Sequence, residues 1–325
     1  MIFLKLIEKL FHRLVLLKNL MYDWLLVSSN KLQIPVVSVG NLSFGGVGKT
    51  PCVIFLAKEF SKSYKTNIVV KSYKASLRLP AKVDLSLTNA TQIFGDEACL
   101  IQSKLSMCQV WSGPKKYLTA AASLRDHPQL IVLDDGFSHR KLHRNFDLIL
   151  VDATQGFNTY LREPLGCLKR AQAILITKTN LSDSETIVEI KKNIIKSMPH
   201  LTESIFLSRV KTELKLDIKH PLFVFCGLAQ PASFILDLTL QGYKVVRQKF
   251  FADHYSYSPA VQLQIYSEYG KLKEYNKELR LVTTEKDLIK ITDVLLRKCV
   301  SVSEHKIEMD PDQKEALLEK IGLSF

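Results

Sequence analysis

Short apolar runs alternate with amphipathic stretches along most of the chain. Five of these runs are predicted to form strands: residues 34–39, 67–70, 130–133, 147–151 and 173–177. Residues 51–64 have helical periodicity, and helical or loop-like stretches separate the other runs. Continuous apolar strands connected through helices are typical of a parallel sheet with helices on both faces. The pattern therefore predicts an α/β fold.

A charged stretch at 211–219 interrupts this pattern, which then restarts in a shorter form. Apolar runs at 222–226, 244–246 and 280–283 predict strands of a second, smaller α/β unit. A length of 325 residues is also consistent with about two domains. We therefore predict a first domain over 31–210 and a smaller domain over 211–325 that closes over the site.

The first thirty residues form a separate segment. Apolar side chains from Phe3 to Leu25 recur at helical spacing, and Lys5, Arg13 and Lys18 lie between them. The segment lacks the uninterrupted apolar core and the small-residue cleavage site of a secretory signal peptide. A basic amphipathic helix can lie in a membrane interface, but packing on the protein's own core explains this pattern equally well. No stretch of the chain is a convincing transmembrane helix.

Charge and composition narrow the possible partners. The 45 basic residues exceed the 32 acidic ones, which gives a formal net charge of +13. Such an excess favours an anionic partner, namely a nucleotide, a nucleic acid or an acidic membrane surface. Nucleic acid is the weakest of these because no motif that reads it is present. The six scattered cysteines suggest neither a disulfide framework nor a zinc site, and indicate a reducing cytosol.

The strongest chemical signal is the glycine-rich segment Ser43-Phe44-Gly45-Gly46-Val47-Gly48-Lys49-Thr50. It lies between a predicted strand and a predicted helix, as a phosphate-binding loop does. Backbone N–H groups can bind phosphate oxygens there, Lys49 can reach the β- and γ-phosphates, and Thr50 can bind Mg²⁺. The strict motif is not met because Ser43 replaces the first glycine, so a chance Gly-Lys-Thr turn remains the alternative.

A second nucleotide signal is the pair Asp134 and Asp135, which ends an apolar run. At the carboxyl edge of a parallel sheet, such carboxylates lie beside the phosphate loop and can hold Mg²⁺ directly or through water. Aspartates that end strands also cap turns, so this signal is ambiguous when taken alone. Together the two signals predict a P-loop domain that binds ATP or GTP.

Residues 134–147 resemble the Asp-Asp-Gly-Phe-Gln-His-Arg block of tetraacyldisaccharide 4′-kinases, enzymes of the lipid A pathway. The resemblance extends over most of the chain: the phosphate loop, in which Ser or Thr replaces the first glycine in this family, and residues 95–97, 161–165, 225–227, 253–257 and 283–287. It implies a P-loop kinase that transfers the γ-phosphate of ATP to the 4′-hydroxyl of a tetraacyldisaccharide 1-phosphate, with Mg²⁺. It also implies that the N-terminal helix docks peripherally on the cytoplasmic face of the bacterial inner membrane, with no obligate protein partner evident.

The resemblance also implies roles for individual residues. Asp96 orients or deprotonates the attacking hydroxyl with support from His254, although Asp96 could equally cap a helix and His254 could be structural. Glu163 completes a Mg²⁺ environment that also includes Thr50, Asp134 and Asp135. Arg162 and His139 contact the lipid's phosphate, sugar or headgroup. The alternatives are a surface ion pair between Arg162 and Glu163 and, for His139, a solvated basic face.

Three departures from the family pattern bear on function. Lys71-Ser72-Tyr73-Lys74 replaces the usual Arg-Gly-Tyr-Gly, a lysine replaces an arginine at 115–116, and the loop at 156–160 is short. None of them removes a group that we assign to the chemistry. Two other readings remain open: a P-loop kinase or GTPase with a different substrate, and a nucleotide-dependent membrane-binding module without turnover.

Overall fold

A computed structural model of the protein describes residues 2–43, 45–157 and 160–325, with side chains from His12 onward. The strands, in chain order, are β1 (Val36–Asn41), β2 (Thr66–Lys71), β3 (Ala81–Lys82), β4 (Gln109–Gly113), β5 (Leu130–Asp134), β6 (Phe146–Asp152), β7 (Ala173–Thr177), β8 (Ile205–Leu207), β9 (Arg209–Leu214), β10 (Leu222–Cys226), β11 (Val245–Phe250), β12 (Arg280–Thr284) and β13 (Val300–Glu308). The α-helices are α1 (Ile2–Asp23), α2 (Lys49–Phe60), α3 (Ala90–Phe94), α4 (Asp96–Lys104), α5 (Lys116–Ser123), α6 (Ser184–Ser197), α7 (Pro231–Leu240), α8 (Pro259–Tyr275), α9 (Glu285–Leu288), α10 (Val294–Cys299) and α11 (Pro311–Gly322).

The first sheet has the strand order β3-β4-β2-β5-β1-β6-β7-β8 and is parallel except for β3. Helices cover both of its faces because the central strands are apolar on both sides. On β6, Leu148 and Leu150 pack in the same core as α2, whereas Ile149 and Val151 pack in the same core as α6. The α/β fold with helices on both faces is therefore confirmed.

The second sheet has the order β11-β10-β12-β13-β9, in which only β9 runs antiparallel to its neighbour. Its strands β10 and β12 are buried, with Phe223, Phe225 and Leu281 fully enclosed. The predicted strand at 244–246 is longer in the structure and extends to Phe250. This unit is the smaller α/β unit expected after the charged stretch.

Two strands of the second sheet lie where the sequence pattern does not predict them. The charged stretch near 211 belongs partly to β9, in which charged and less polar residues alternate, and the second half of β13, from Glu304 to Glu308, alternates in the same way. Both strands are only partly buried, so neither has the continuous apolar run that identifies the central strands. The second sheet thus begins at Arg209.

The C-terminal helix α11 packs on the first sheet although it follows the last strand of the second. Leu317 and Ile321 are fully buried in the core that also holds Val37 and Leu56. Lys314 forms an ion pair with Glu59 of α2 at 2.9 Å. The chain therefore crosses between the two units twice.

Helix α1 lies against the first unit near the carboxyl edge of its sheet. His12 Nε2 is 2.8 Å from the carbonyl oxygen of Leu161, and Lys18 donates to the carbonyl of Ser138. Asn19, which is 5% exposed, donates to Cys167 Sγ, and Asp23 is paired with Arg140. Among the residues that the structure describes, no helix is both long and apolar enough to span a bilayer.

Candidate active site

The glycine-rich loop lies between β1 and α2, as its sequence predicts. All six residues of β1 are buried, and α2 begins at Lys49. Gly48 caps α2 with φ of 91°, a left-handed conformation that favours glycine. The N-terminus of α2 therefore opens toward the carboxyl edge of the sheet, where its free N–H groups can bind an anion. Phe44 of this loop lies outside the described residues.

The side chain of Lys49 lies between two oxygen-bearing groups. Its Nζ atom is 3.1 Å from Oδ1 of Asn41 and 3.6 Å from Oδ1 of Asp135. Only 21% of the side chain is exposed. Thr50 follows in the first turn of α2 and is half-buried. The structure thus brings the loop lysine together with the carboxylate of Asp135, which directly follows β5.

Asp134 and Asp135 differ in environment although they are adjacent. Asp134, the last residue of β5, is 4% exposed, and its Oδ1 atom has no hydrogen-bond partner among the described residues. Burial raises the pKa of Asp134, and the charge of Glu97 adds to this effect. Asp135 is only half-buried; its burial raises its pKa, but the charges of Lys116 and Lys49 and the contact with Arg162 outweigh this and hold the pKa far below the usual range.

Arg162 and Glu163 do not pair with each other. The Arg162 guanidinium contacts both carboxylate oxygens of Asp135, at 2.6 and 3.0 Å. Glu163 is 1% exposed, and its Oε2 atom binds Arg170, while its Oε1 atom has no partner among the described residues. Arg162 is fixed above the loop because its backbone N–H donates to the Leu42 carbonyl. A surface ion pair does not describe these two residues.

Lys116 belongs to the same site, although the sequence predicts no role for it there. It is 3% exposed, and its Nζ atom donates to the carbonyl oxygens of Asp134 (2.6 Å) and Asp135 (2.5 Å). His139 is half-buried nearby: burial, followed by the charge of Lys116 and a weaker effect of Lys71, lowers its pKa to about 3. His139 is therefore a neutral imidazole in a cationic surrounding. The signal from which Lys116 could have been identified is the departure from the family pattern at 115–116, where a lysine replaces an arginine.

Asp96 and His254 come from different units and contact each other. Asp96 is the first residue of α4, and His254 lies in the loop after β11, with φ of 57°. His254 Nδ1 is 2.9 Å from Oδ2 and 3.1 Å from Oδ1 of Asp96. Asp96 also accepts from the backbone N–H of Glu97 at 2.9 Å, so it contributes to the end of the helix as well.

The electrostatic balance at Asp96 favours the anion. Burial raises the pKa of Asp96, but the hydrogen bond from His254 and the charges of Lys286 and Lys290 outweigh it, so the pKa lies below its usual range. Asp96 is thus a carboxylate at neutral pH. It is held in one orientation by its contacts with His254 and Glu97.

Lys286 accounts for the Thr283–Asp287 motif, whose role the sequence did not explain. Its Nζ atom is 2.9 Å from Oδ1 of Asp253 and 3.4 Å from Nε2 of His254. Asp287 is fully buried and accepts from the backbone N–H of Gly227 and from the Thr284 hydroxyl. The motif therefore places the Lys286 ammonium beside the His254 imidazole. Through Asp287 it also links α9 to the residue that follows β10.

The arrangement combines an anion-binding helix end, carboxylates and a carboxylate–imidazole pair. Within the described residues no group of three or more His, Cys, Asp or Glu side chains has the geometry of a complete metal centre. A Mg²⁺ ion that is bound through one or two carboxylates and substrate phosphates does not require such a group. The site is therefore suited to transfer of a phosphoryl group from a nucleotide.

Comparison with known proteins agrees with this chemistry. Residues 1–322 match the sequence model of the family described as tetraacyldisaccharide-1-P 4'-kinase. The tetraacyldisaccharide 4'-kinase of Halothermothrix orenii is 29% identical over 94% of this chain and 86% of its own length. That of Desulfotalea psychrophila is 31% identical over 88% of this chain and 86% of its own.

A solved structure matches nearly the whole fold. The crystal structure of LpxK from Aquifex aeolicus in complex with ATP has a TM-score of 0.71 and 26% identity, and the match covers 99% of this chain and 98% of that one. The match includes both sheets, so the similarity is not limited to the phosphate loop. The chain therefore belongs to the tetraacyldisaccharide-1-P 4'-kinase family and is an ATP-dependent kinase of lipid A biosynthesis.

Proposed function

We propose that the protein transfers the γ-phosphate of ATP to the 4′-hydroxyl of a tetraacyldisaccharide 1-phosphate and forms lipid IVA at the site described above. The observation that carries this proposal is that one site contains both a phosphate-loop lysine paired with a carboxylate and a carboxylate–imidazole pair. The loop lysine Lys49 contacts Asp135, which directly follows β5, and Asp96 of the first unit contacts His254 of the second. Phosphoryl transfer requires both a cradle for the nucleotide phosphates and a group that positions the acceptor hydroxyl.

The phosphates of ATP bind to the loop from Ser43 to Thr50. The backbone N–H groups of the loop and the N-terminus of α2 donate to phosphate oxygens. Lys49 contributes a positive charge that Asn41 and Asp135 hold close to the loop. The glycines keep side chains out of this space, and Gly45 and Gly48 have φ of 119° and 91°.

The residues around β5 fit a Mg²⁺ ion. Carboxylate and hydroxyl oxygens are suitable ligands, and the unpartnered Oδ1 of Asp134 is a buried acceptor without a donor. Asp134, Asp135 and Thr50 would hold the ion, and the unpartnered Oε1 of Glu163 would complete its surroundings. When bound, the ion neutralises negative charge on the phosphates.

Asp96 accepts a hydrogen bond from the 4′-hydroxyl and aims the hydroxyl oxygen at the γ-phosphorus. Its low pKa makes it a weak base, so orientation is its larger contribution. As the bond from the hydroxyl oxygen to the γ-phosphorus forms, the bond from that phosphorus to the β,γ-bridging oxygen breaks, ADP leaves, and Asp96 takes the hydroxyl proton. His254 fixes the carboxylate through Nδ1. Lys286 lies behind the imidazole at 3.4 Å and stabilises the anionic character of the whole group.

The cationic surroundings of β5 receive the anionic lipid headgroup. Arg162 and Lys116 are both largely buried beside Asp135, and His139 lies close to them. Neutral His139 can donate a hydrogen bond to a phosphate or a sugar oxygen without adding charge. The positive charge of the basic residues therefore favours an anionic substrate. The hydrogen bond from His139 orients that substrate.

The protein binds peripherally to the cytoplasmic face of the inner membrane through α1. Leu14 and Leu17 of α1, with Trp24 and Leu25 just after it, are between 57% and 85% exposed, although other side chains of the helix pack on the protein. An amphipathic helix that is docked on one side and apolar on the other is suited to a bilayer interface. This position places acyl chains close to the headgroup site at the sheet edge.

Transfer of ³²P from [γ-³²P]ATP to the purified lipid tests the proposal. We expect label on the lipid with the wild-type protein and a loss of at least about 10²-fold in rate with Lys49→Ala, because that change removes a charge from the phosphates. Lys62→Ala is the control, because Lys62 is an exposed lysine just beyond the far end of α2. Hydrolysis of ATP without lipid labelling would indicate a different acceptor. ATP binding without any turnover would indicate a nucleotide-dependent binding module.

A further inference from the structure

A single lysine joins the phosphate loop to the second unit. Lys178 follows β7 and is 11% exposed. Its Nζ atom donates to the carbonyl oxygen of Gly46 at 2.9 Å, to Oδ2 of Asp152 at 2.5 Å and to Oε1 of Gln230 at 2.6 Å. Gln230 lies in the loop between β10 and α7, so the loop, the end of β6 and the second unit meet at one ammonium group.

The contact with Lys178 fixes the orientation of the Gln230 amide. An ammonium group can only donate, so the amide oxygen must face Lys178 and the NH₂ group must face away from it. The Nε2 atom is buried and has no hydrogen-bond partner among the described residues. A buried donor without a partner costs free energy. The unpaired Nε2 therefore indicates that a bound ligand supplies the missing acceptor.

The unpaired NH₂ group lies against the phosphate loop. It is 3.3 Å from the position that a Cβ atom on Gly45 would occupy, and the methyl group of Ala229 is 3.6 Å from the equivalent position on Gly46. The two glycines thus leave room for the second unit to approach. A side chain at Gly45 would fill the space into which the Gln230 donor points.

We propose that Gln230 is an ATP-binding residue whose NH₂ group donates to a phosphate oxygen of the nucleotide on the loop. This inference rests on the proposed role of the 43–50 loop in binding ATP. A phosphate oxygen is a charged acceptor and therefore a strong partner for the unpaired amide. Lys178 holds the other end of the amide, so the second unit gains a contact only when the loop is occupied.

Gln230→Glu tests this role directly. Glutamate retains an oxygen for Lys178 but replaces the NH₂ group with an oxygen that repels phosphate. We expect the Kd for Mg-ATP, measured by titration calorimetry, to increase at least about 10-fold. The Kd for adenosine should stay within twofold, because adenosine has no phosphate. Thermal stability should not fall, because the Lys178 contact becomes an ion pair.

Gln241→Glu is the matched control, since it makes the same change at an exposed position at the other end of α7. Gln230→Ala, which removes both ends of the amide, provides a second test and should also weaken Mg-ATP binding. Mg-ATP affinity within twofold of wild type in both Gln230 variants would overturn the inference and leave Gln230 as a structural brace. If the wild-type protein bound no Mg-ATP, the proposed function would fail as well, and Lys49→Ala in parallel distinguishes the two outcomes.

Discussion

Asp96 is a residue whose position in sequence allows two roles. As the first residue of α4 it accepts from the backbone N–H of Glu97, and its two oxygens lie within 3.1 Å of His254 Nδ1. The first contact stabilises the helix end and the second orients the carboxylate. These roles are compatible because each carboxylate oxygen accepts more than one hydrogen bond.

The substitution Asp96→Asn separates the role at the helix end from the role toward the attacking hydroxyl. Asn retains an oxygen for the Glu97 N–H, so we expect almost unchanged thermal stability, but it cannot take a proton from the hydroxyl. The kcat for lipid phosphorylation should fall about 10²- to 10⁴-fold, with little change in ATP affinity. His254→Ala should have a smaller effect, and the double variant should lose less than the product of the two losses if the residues act as one unit. Full activity in Asp96→Asn would leave Asp96 as a helix-end residue only.

At the scale of elements, α1 has two faces with different surroundings. One face is tied to the first unit through His12, Asn19 and Asp23. The other exposes large apolar side chains, including Trp24 at 69% and Leu25 at 85% just after the helix. The helix therefore packs on the protein, and it also presents the exposed apolar surface on which the membrane proposal rests.

Trp24→Ser/Leu25→Ser tests the exposed face without removing the docked one. Burial of two large apolar side chains in a bilayer interface contributes several kcal/mol, so we expect vesicle binding to weaken about 10-fold or more. The KM for lipid should increase while the Kd for ATP stays unchanged. Leu263→Ser/Tyr275→Ser removes equally exposed side chains from α8 and is the control in flotation assays with anionic vesicles. Equal binding of both variants would contradict a membrane role for this surface.

At the scale of the whole molecule, ion pairs connect the two units in addition to the polypeptide chain. Lys104 at the end of α4 is 2.8 Å from Glu285 of α9 and 3.0 Å from Glu304 of β13. Burial raises the pKa of Glu285; Lys104 opposes this effect, and the charge of Glu304 adds to it. One cation thus neutralises two carboxylates between the units and helps to hold α4, with Asp96 at its start, against the second unit.

Lys104→Ala should destabilise the protein by about 1–3 kcal/mol at pH 8 and by less at pH 5. Without Lys104 the pKa of Glu285 rises further above its unfolded value of about 4.5, so the folded state binds more protons than the unfolded state. The free energy of unfolding therefore decreases as pH rises through this range. Urea denaturation at both pH values measures the difference, with Lys62→Ala as an exposed-lysine control. If the loss of unfolding free energy is the same at both pH values, the pKa of Glu285 does not depend on Lys104.

Much of the first unit follows from local sequence. The central strands β1, β5, β6 and β7 are predominantly apolar, and the glycine-rich loop and Asp134 directly follow or end such strands. Burial on both faces favours apolar residues at most positions, so these strands can be predicted from the sequence without any knowledge of their neighbours. The resemblance to the kinase family then nominated Asp96 and His254, which periodicity alone would not have identified.

The rest depended on contacts between residues that are far apart in the chain. β9 and β13 are half-buried edge strands, α11 returns to the first sheet, and Gln230 meets Lys178 across 52 positions. Partly buried elements have mixed patterns, because their polarity is determined by the surface against which they pack. The charge states of Asp96 and Asp134 were likewise decided in the tertiary structure, since burial and neighbouring charges from other elements set each pKa. The sequence by itself therefore determined the buried strands and the phosphate loop, whereas only the folded chain determined which charges meet at the site.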